Sequence, residues 1–199
     1  MFGHIPGLMF NPRKQWQTIA ALSDEKIKRL LPYPILMALL PPVALYIGTT
    51  QVGWTVVGED VVRITEASAI PLVVLSYIAL LGAVVIIGLM INWMSQTYQT
   101  EAFPIKGVVL MGYACTPIFL AGACAVYPIW WLDIVLGTAG AIYTIYLIYT
   151  AIPIMMHVPW DRGFLYASAV FMIALVYVVV ILVGVTIIWE YIATPVFMN

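Results

Sequence analysis

Few side chains in this 199-residue chain could do covalent or metal chemistry, and their spacing works against it. Cys115 and Cys124 lie nine residues apart. On one straight helix that is a rise of about 13 Å and about half a turn. A disulfide needs Cα atoms within roughly 7 Å, so the two thiols cannot pair there and read as small packing residues. His157 and Asp161 have i,i+4 spacing, but Pro159 lies between them and a metal site would want more ligands. No G-x-S-x-G, H-E-x-x-H, P-loop or GxGxxG motif occurs. The sequence therefore predicts no enzyme, no bound metal and no cofactor.

What remains is hydroxyl chemistry in apolar surroundings. The stretch MGYACTPIFLAG, Met111 to Gly122, carries Tyr113, Cys115, Thr116, Pro117 and two glycines inside an uncharged run. At roughly 100° per residue, Cys115, Thr116, Phe119 and Ala123 fall within about 60° of Gly112. That face is small and weakly polar; the opposite one, near Leu110, Ala114, Ile118 and Ala121, is apolar. Pro117 breaks the helical ladder between them. A second stretch, GTAGAIYTIYLIYTAIP, pairs Gly137 with Ala141 and sets Tyr143, Tyr146 and Tyr149 three residues apart. Small residues let membrane helices approach closely, and buried phenols need partners. Two readings follow: helix-packing faces, or a polar cavity bordered by Pro41, Tyr113, Thr116 and Tyr143.

The elements that position these residues are set by composition. Hydrophobic residues make up 64% of the chain and charged ones 9%. Soluble domains carry about 25% charged residues. Mean hydropathy is +1.04. A spanning helix needs about 20 apolar residues. Cutting the chain at its charges gives spans at about 30–50, 67–94, 107–127, 132–152 and 164–189. The fold class predicted is all-α: a polytopic membrane protein with five transmembrane helices. The net charge of −1 gives no reason to expect nucleic acid as a partner.

Lysine and arginine predict the orientation. Arg13, Lys14, Lys26, Lys28, Arg29, Lys106 and Arg162 share one side, and Arg63 stands alone on the other. The N-terminus is thus expected in the cytoplasm and the C-terminus outside, which in a bacterium is the periplasm. Residues 1–29 read as an amphipathic N-terminal segment, and 30–199 as the five-helix domain. Asn11-Pro12 reads as a helix start. Trp16, Ile19 and Ala20 fall on one face, with Arg13 and Lys14 elsewhere, which predicts a helix on the membrane surface with Trp16 inserted among headgroups.

Span one contains LPYPILMALLPPV, and prolines at this density, Pro41-Pro42 included, cannot make a straight helix. The break reads either as a kink after a segment that enters near the interface or as a hinge beside unwound backbone. Valines around Gly58-Glu59-Asp60 predict a hairpin or an extended outer loop, with Trp54 at the interface.

The five spans, Gly112-Tyr113-x-x-x-Pro117 in the third, Asn11-Pro12 followed by Trp16, and the run IGTTQVGW together resemble the Yip family, named for interaction with Ypt/Rab GTPases. The last two features are similar to its bacterial branch of small inner-membrane proteins. The resemblance implies a bacterial inner membrane and a module that associates with itself or with other proteins. Eukaryotic members bind Rab proteins through a larger cytoplasmic region and carry an Asp-Leu-Tyr-Gly-Pro motif. Neither is found here, so Rab binding is not implied. The expected function is a non-catalytic module that organises partners, lipid or membrane shape. Its expected partners are membrane lipid, a second copy of the chain or another membrane protein. The alternative is a permeation protein for a small solute, an ion or lipid, with a cavity between spans one, three and four.

Overall fold

A computed structural model describes residues 2–55, 61–100, 103–191, 194 and 196–198. In a bilayer interior no water satisfies the backbone, so long apolar runs close their hydrogen bonds within helices. Four stretches are long and apolar enough to cross: Asp24–Val52, Glu66–Met94, Trp130–Met155 and Trp160–Glu190. A fifth crossing is a bent pair, Pro104–Ala114 and Thr116–Val126, with 42° between its halves. The chain is an all-α polytopic membrane protein.

Ahead of the crossings come α1 (Ile5–Phe10), α2 (Pro12–Ala20) and α3 (Asp24–Lys28). The first crossing is broken as its prolines require, into α4 (Pro32–Met37) and α5 (Leu40–Ile47), and ends in a π turn at Gly48–Val52. Then α6 (Glu66–Met94) returns, with Glu66 in its first turn complementing the helix dipole. The bent crossing is α7 (Pro104–Ala114) and α8 (Thr116–Gly122), continued by a 3-10 turn at Ala123–Val126. α9 (Trp130–Met155) and α10 (Trp160–Tyr191) complete the bundle.

The helix α7 is the hub. Val109, Leu110, Tyr113 and Ala114 are fully buried, so both of its faces are covered, not one. It meets α6 through two glycines. A Cβ on Gly107 would stand 2.1 Å from the Gly88 carbonyl oxygen, and one on Gly88 would stand 2.6 Å from the Val108 Cα. At the other extreme, most side chains of α10 beyond Val176 are exposed and face the hydrocarbon.

Seven of the eight basic residues sit at one end of the bundle, called here the basic end. At the far end, a Cβ on Gly48 would stand 1.9 Å from the Ala125 carbonyl oxygen, which ties the π turn to the third crossing. Trp54 and Val62 form an antiparallel bridge. Two short strands, β1 (Arg63–Ile64) and β2 (Phe197–Met198), pair antiparallel, with Arg63 opposite Met198. The loop is therefore stitched to the C-terminal end as well as to itself. The expected turn at Gly58-Glu59-Asp60 lies outside the described residues.

The N-terminal helices differ from expectation. Trp16 and Ile19 are fully buried, and Leu8 and Ile27 join them in the main core. α2 packs on α9, so its apolar stripe covers protein rather than lipid. An amphipathic stripe records that a face is buried and not what buries it. Pro12 is buried with it, Lys14 is exposed, and the Arg13 guanidinium lies 5.5 Å from the Trp160 ring centre.

The glycine contacts generate a prediction. Gly107→Ala puts a methyl group against backbone that cannot move aside and should destabilise the fold by about 1–3 kcal/mol. Gly184 has open space where a methyl group would go, with nothing within 4 Å, so Gly184→Ala should be neutral or gain up to about 1 kcal/mol. Thermal unfolding in a mild detergent should lower the Tm of the first variant only.

Candidate functional site

The polar interior is built around the bend of the third crossing. Pro117 has no N–H, so the Tyr113 carbonyl, four residues earlier, loses its helical donor. The Thr116 hydroxyl donates to that carbonyl at 2.7 Å. With its proton committed, Thr116 accepts from the Tyr33 phenol, 2.6 Å away. Tyr33 sits between Pro32 and Pro34 in the first crossing, and its ring stacks on Tyr113 at 4.0 Å and 7°. Tyr33, Tyr113 and Thr116 are fully buried, and Cys115 beside them is nearly so.

The approach of the two crossings that permits this is proline on glycine. A Cβ on Gly112 would stand 2.7 Å from the Pro34 Cβ, and one on Gly122 would stand 2.7 Å from the Pro41 Cβ. Pro42 is buried in the same segment. From the other side Gly140 of α9 closes on the bend, its Cβ position 3.0 Å from the Pro117 carbonyl oxygen. Gly140, not Gly137, is the packing glycine of α9: Gly137 has nothing within 4 Å. Both have small neighbours in sequence, and only the direction of the face separates them.

Other breaks are served in the same way. Helix α4 ends near Met37, and the Tyr77 phenol donates to the Ile35 carbonyl at 3.3 Å. The Tyr166 phenol donates to the Ile91 carbonyl near the end of α6, and its ring stacks on Tyr98 at 4.3 Å. The Thr100 hydroxyl donates to the Met156 carbonyl just past α9. There His157 takes a left-handed φ of 53°, and a Cβ on Gly163 would stand 2.8 Å from the Pro153 Cβ. Among the described residues no three His, Cys, Asp or Glu side chains come together, His157 and Asp161 included.

The three tyrosines of α9 part company. Tyr149 shares a hydrogen bond with Ser168 of α10 at 2.9 Å. Tyr146 is 43% exposed on the bundle surface, tilted against Tyr143. Tyr143 donates to the Leu8 and Met9 carbonyls, at 3.1 and 2.8 Å. These carbonyls lie in the last turn of α1, where helical donors run out. Residues 2–10 thus enter the bundle. Phe2 lies edge-on to Tyr33 and His4 edge-on to Tyr113, both at 5.8 Å. Tyr113 is nine residues into α7, roughly 13 Å from its start, so the contact is deep. His4 also bonds Gln15 of α2.

The four residues expected around one cavity are therefore committed elsewhere. Tyr113 and Thr116 belong to the stacked cluster, Pro41 covers Gly122, and Tyr143 holds the N-terminal wedge. Tyr33 and His4 complete the site, and sequence reasoning missed them. The one signal was the position of Tyr33 between two prolines. The arrangement holds backbone and rings in place, and it pairs no nucleophile with a base.

Burial holds the His4 imidazole below its ordinary value of 6.5. A base with a lowered value favours the docked form when neutral, and protonation favours release. The wedge is then fully docked above pH 6.5 and loosens as the pH falls below it. Hydrogen exchange of residues 2–10 should accelerate on going from pH of about 8 to about 5.5, after correction for intrinsic rates. Tyr143→Phe should accelerate it at both pH values, by about fivefold or more, as loss of roughly 1 kcal/mol implies. Unchanged exchange under both perturbations would mean that these contacts do not hold the wedge.

The sequence model of a family described as the Yip1 domain matches residues 7–181. Inner membrane protein YohC of Escherichia coli strain K12 is 31% identical over 188 residues, which cover 94% of this chain and 96% of that protein. Inner membrane protein YohC of Escherichia coli O6:H1 shows the same identity and coverage. No solved structure matches the chain. With a bent third crossing, a broken first one and a match over most of its length, the chain belongs to the Yip1 domain family.

Proposed function

We propose that this chain is a non-catalytic module of the bacterial inner membrane that organises neighbouring protein, lipid or membrane shape. The observation that carries the reading is the state of its centre. Where a conduit between the first, third and fourth crossings would run, Tyr33, Tyr113 and Thr116 are fully buried and bonded to one another or to backbone. By contrast, α10 offers a long apolar surface with no protein on it. The partners that fit such a surface are membrane lipid, a second copy or another membrane protein. Seven basic residues at one end against one at the other support a cytoplasmic N-terminus and a periplasmic C-terminus. The E. coli relatives are inner membrane proteins, which supports the inner membrane as the location.

A second reading, permeation of a small solute, an ion or lipid, has one observation in its favour. The wedge at residues 2–10 covers Tyr143 and touches Tyr113, and Leu8 is its one fully buried side chain. Withdrawal of that wedge would uncover phenols from the basic end.

Reconstitution separates the two. In liposomes the full chain should move neither glycerol, chloride nor a fluorescent phospholipid above the protein-free rate. Native mass spectrometry from the same preparation should show a defined oligomer or a retained membrane protein. Flux that rises when residues 2–10 are deleted and falls again with Tyr113→Trp would overturn the organising role.

A further inference from the structure

A groove of about 410 Å³ runs down the far half of the bundle between the end of the first crossing, α6 and α10. Along α6 it extends from Ala69 to Leu80. Eleven residues of helix span roughly 16 Å. One leaflet of hydrocarbon is about 15 Å deep, half of the bilayer core. The opposite wall is α10, from Ile181 to Trp189. At the far end the groove is closed by Trp54 and Ile64, which the β1–β2 pairing and the Trp54–Val62 bridge hold in place. Ile64 is 2% exposed.

The walls ask for no hydrogen bonds. The Ser76 hydroxyl donates to the Val73 carbonyl at 2.8 Å, and the Thr49 hydroxyl donates to the Leu45 carbonyl at 2.7 Å. Both therefore turn their polarity back into their own helices, and the remaining lining is apolar. The groove's length along α6 and its apolar walls suit an extended acyl chain.

The rim carries charge. Arg63, the single basic residue at this end, is exposed beside the groove-lining Ile64, and its Nε donates to the Val52 carbonyl at 3.5 Å. Glu66, three residues on, is exposed in the first turn of α6. Glu190, which follows the groove-lining Trp189, is exposed as well, so among the described residues one positive and two negative side chains adjoin the lining in sequence at the end where a lipid headgroup would lie. A guanidinium matches a phosphate with two parallel hydrogen bonds, and a carboxylate matches an ammonium.

We propose that this groove binds a zwitterionic glycerophospholipid. One acyl chain lies between α6 and α10, its phosphate meets Arg63, and its ammonium faces Glu66. The lipid would act as a strut beneath the far-end strands, filling space that α10 leaves open. The site goes beyond the organising role and does not depend on it, since a conduit could hold the same lipid.

The test uses the full chain in liposomes of phosphatidylethanolamine and phosphatidylglycerol at about 3:1, extracted into mild detergent and read by native mass spectrometry. The wild type should retain one phosphatidylethanolamine through stepwise delipidation. Ser76→Trp, which fills the groove from α6, should lower that adduct by about tenfold or more. Ile78→Trp, on the exposed face of the same helix, should leave it unchanged. Arg63→Gln should lower retention of either lipid by several-fold, and Glu66→Gln should erase the preference for phosphatidylethanolamine over phosphatidylglycerol. Ile181→Trp fills the groove from the other wall and gives the same reading should Ser76→Trp fail to fold. Retention that is equal in the groove-filling and Ile78→Trp variants, or a wild type that holds no lipid, would overturn the proposal.

Discussion

Every carbonyl released inside the bundle must find a donor from the protein itself. In water a broken helix end is solvated at little cost, but within hydrocarbon an unpaired carbonyl costs several kcal/mol. This chain has 13 prolines, several of them within its crossings, and so creates that problem repeatedly. It answers with tyrosine and threonine. Thr116 serves the carbonyl that Pro117 releases, Tyr77 serves the break in the first crossing, and Tyr143 serves the end of α1. The 12 tyrosines are accordingly more than interface anchors. Tyr77, Tyr143 and Tyr166 are backbone caps carrying a large apolar ring.

The prolines also shape the contact surface. A ring set over a glycine brings two backbones together without a side chain between them, as at Pro34 on Gly112 and Pro41 on Gly122. Close approach then brings Tyr33 within stacking distance of Tyr113 and within hydrogen-bonding distance of Thr116. The break, the cap and the packing thus form one arrangement, and removing any member exposes the polarity of another. A bundle of this kind is specified tightly at its centre and loosely at its last helix. That contrast is what directs the functional reading outward, to lipid and neighbouring proteins.

Much of the architecture was legible in the residues. Uncharged runs mark five crossings, and Pro117 marks the bend, because both effects are local to the chain. Tertiary partners were not legible. Trp16 lies on a stripe that would suit a membrane surface equally well, and only the fold shows that α9 covers it. Gly137 and Gly140 differ by less than one turn, yet one faces open space and the other the proline bend. The pairing of Arg63–Ile64 with Phe197–Met198 joins segments more than 130 residues apart and leaves no local trace. The tyrosines were legible as groups in need of partners, while the identity of each carbonyl depends on where another helix breaks.

The capping role of Thr116 is the claim on which the rest turns, and one comparison tests it directly. Thr116→Val keeps the shape and removes the hydroxyl that serves the Tyr113 carbonyl and receives the Tyr33 phenol. Thr186→Val makes the same chemical change at an exposed site in an unbroken helix, where the hydroxyl donates to the Leu182 carbonyl. Unfolding of both variants in the same detergent should show a loss of about 1–3 kcal/mol for the first and a change within about 0.5 kcal/mol for the second. Equal stability in the two would contradict the account, because it would mean that the broken crossing does not depend on its cap.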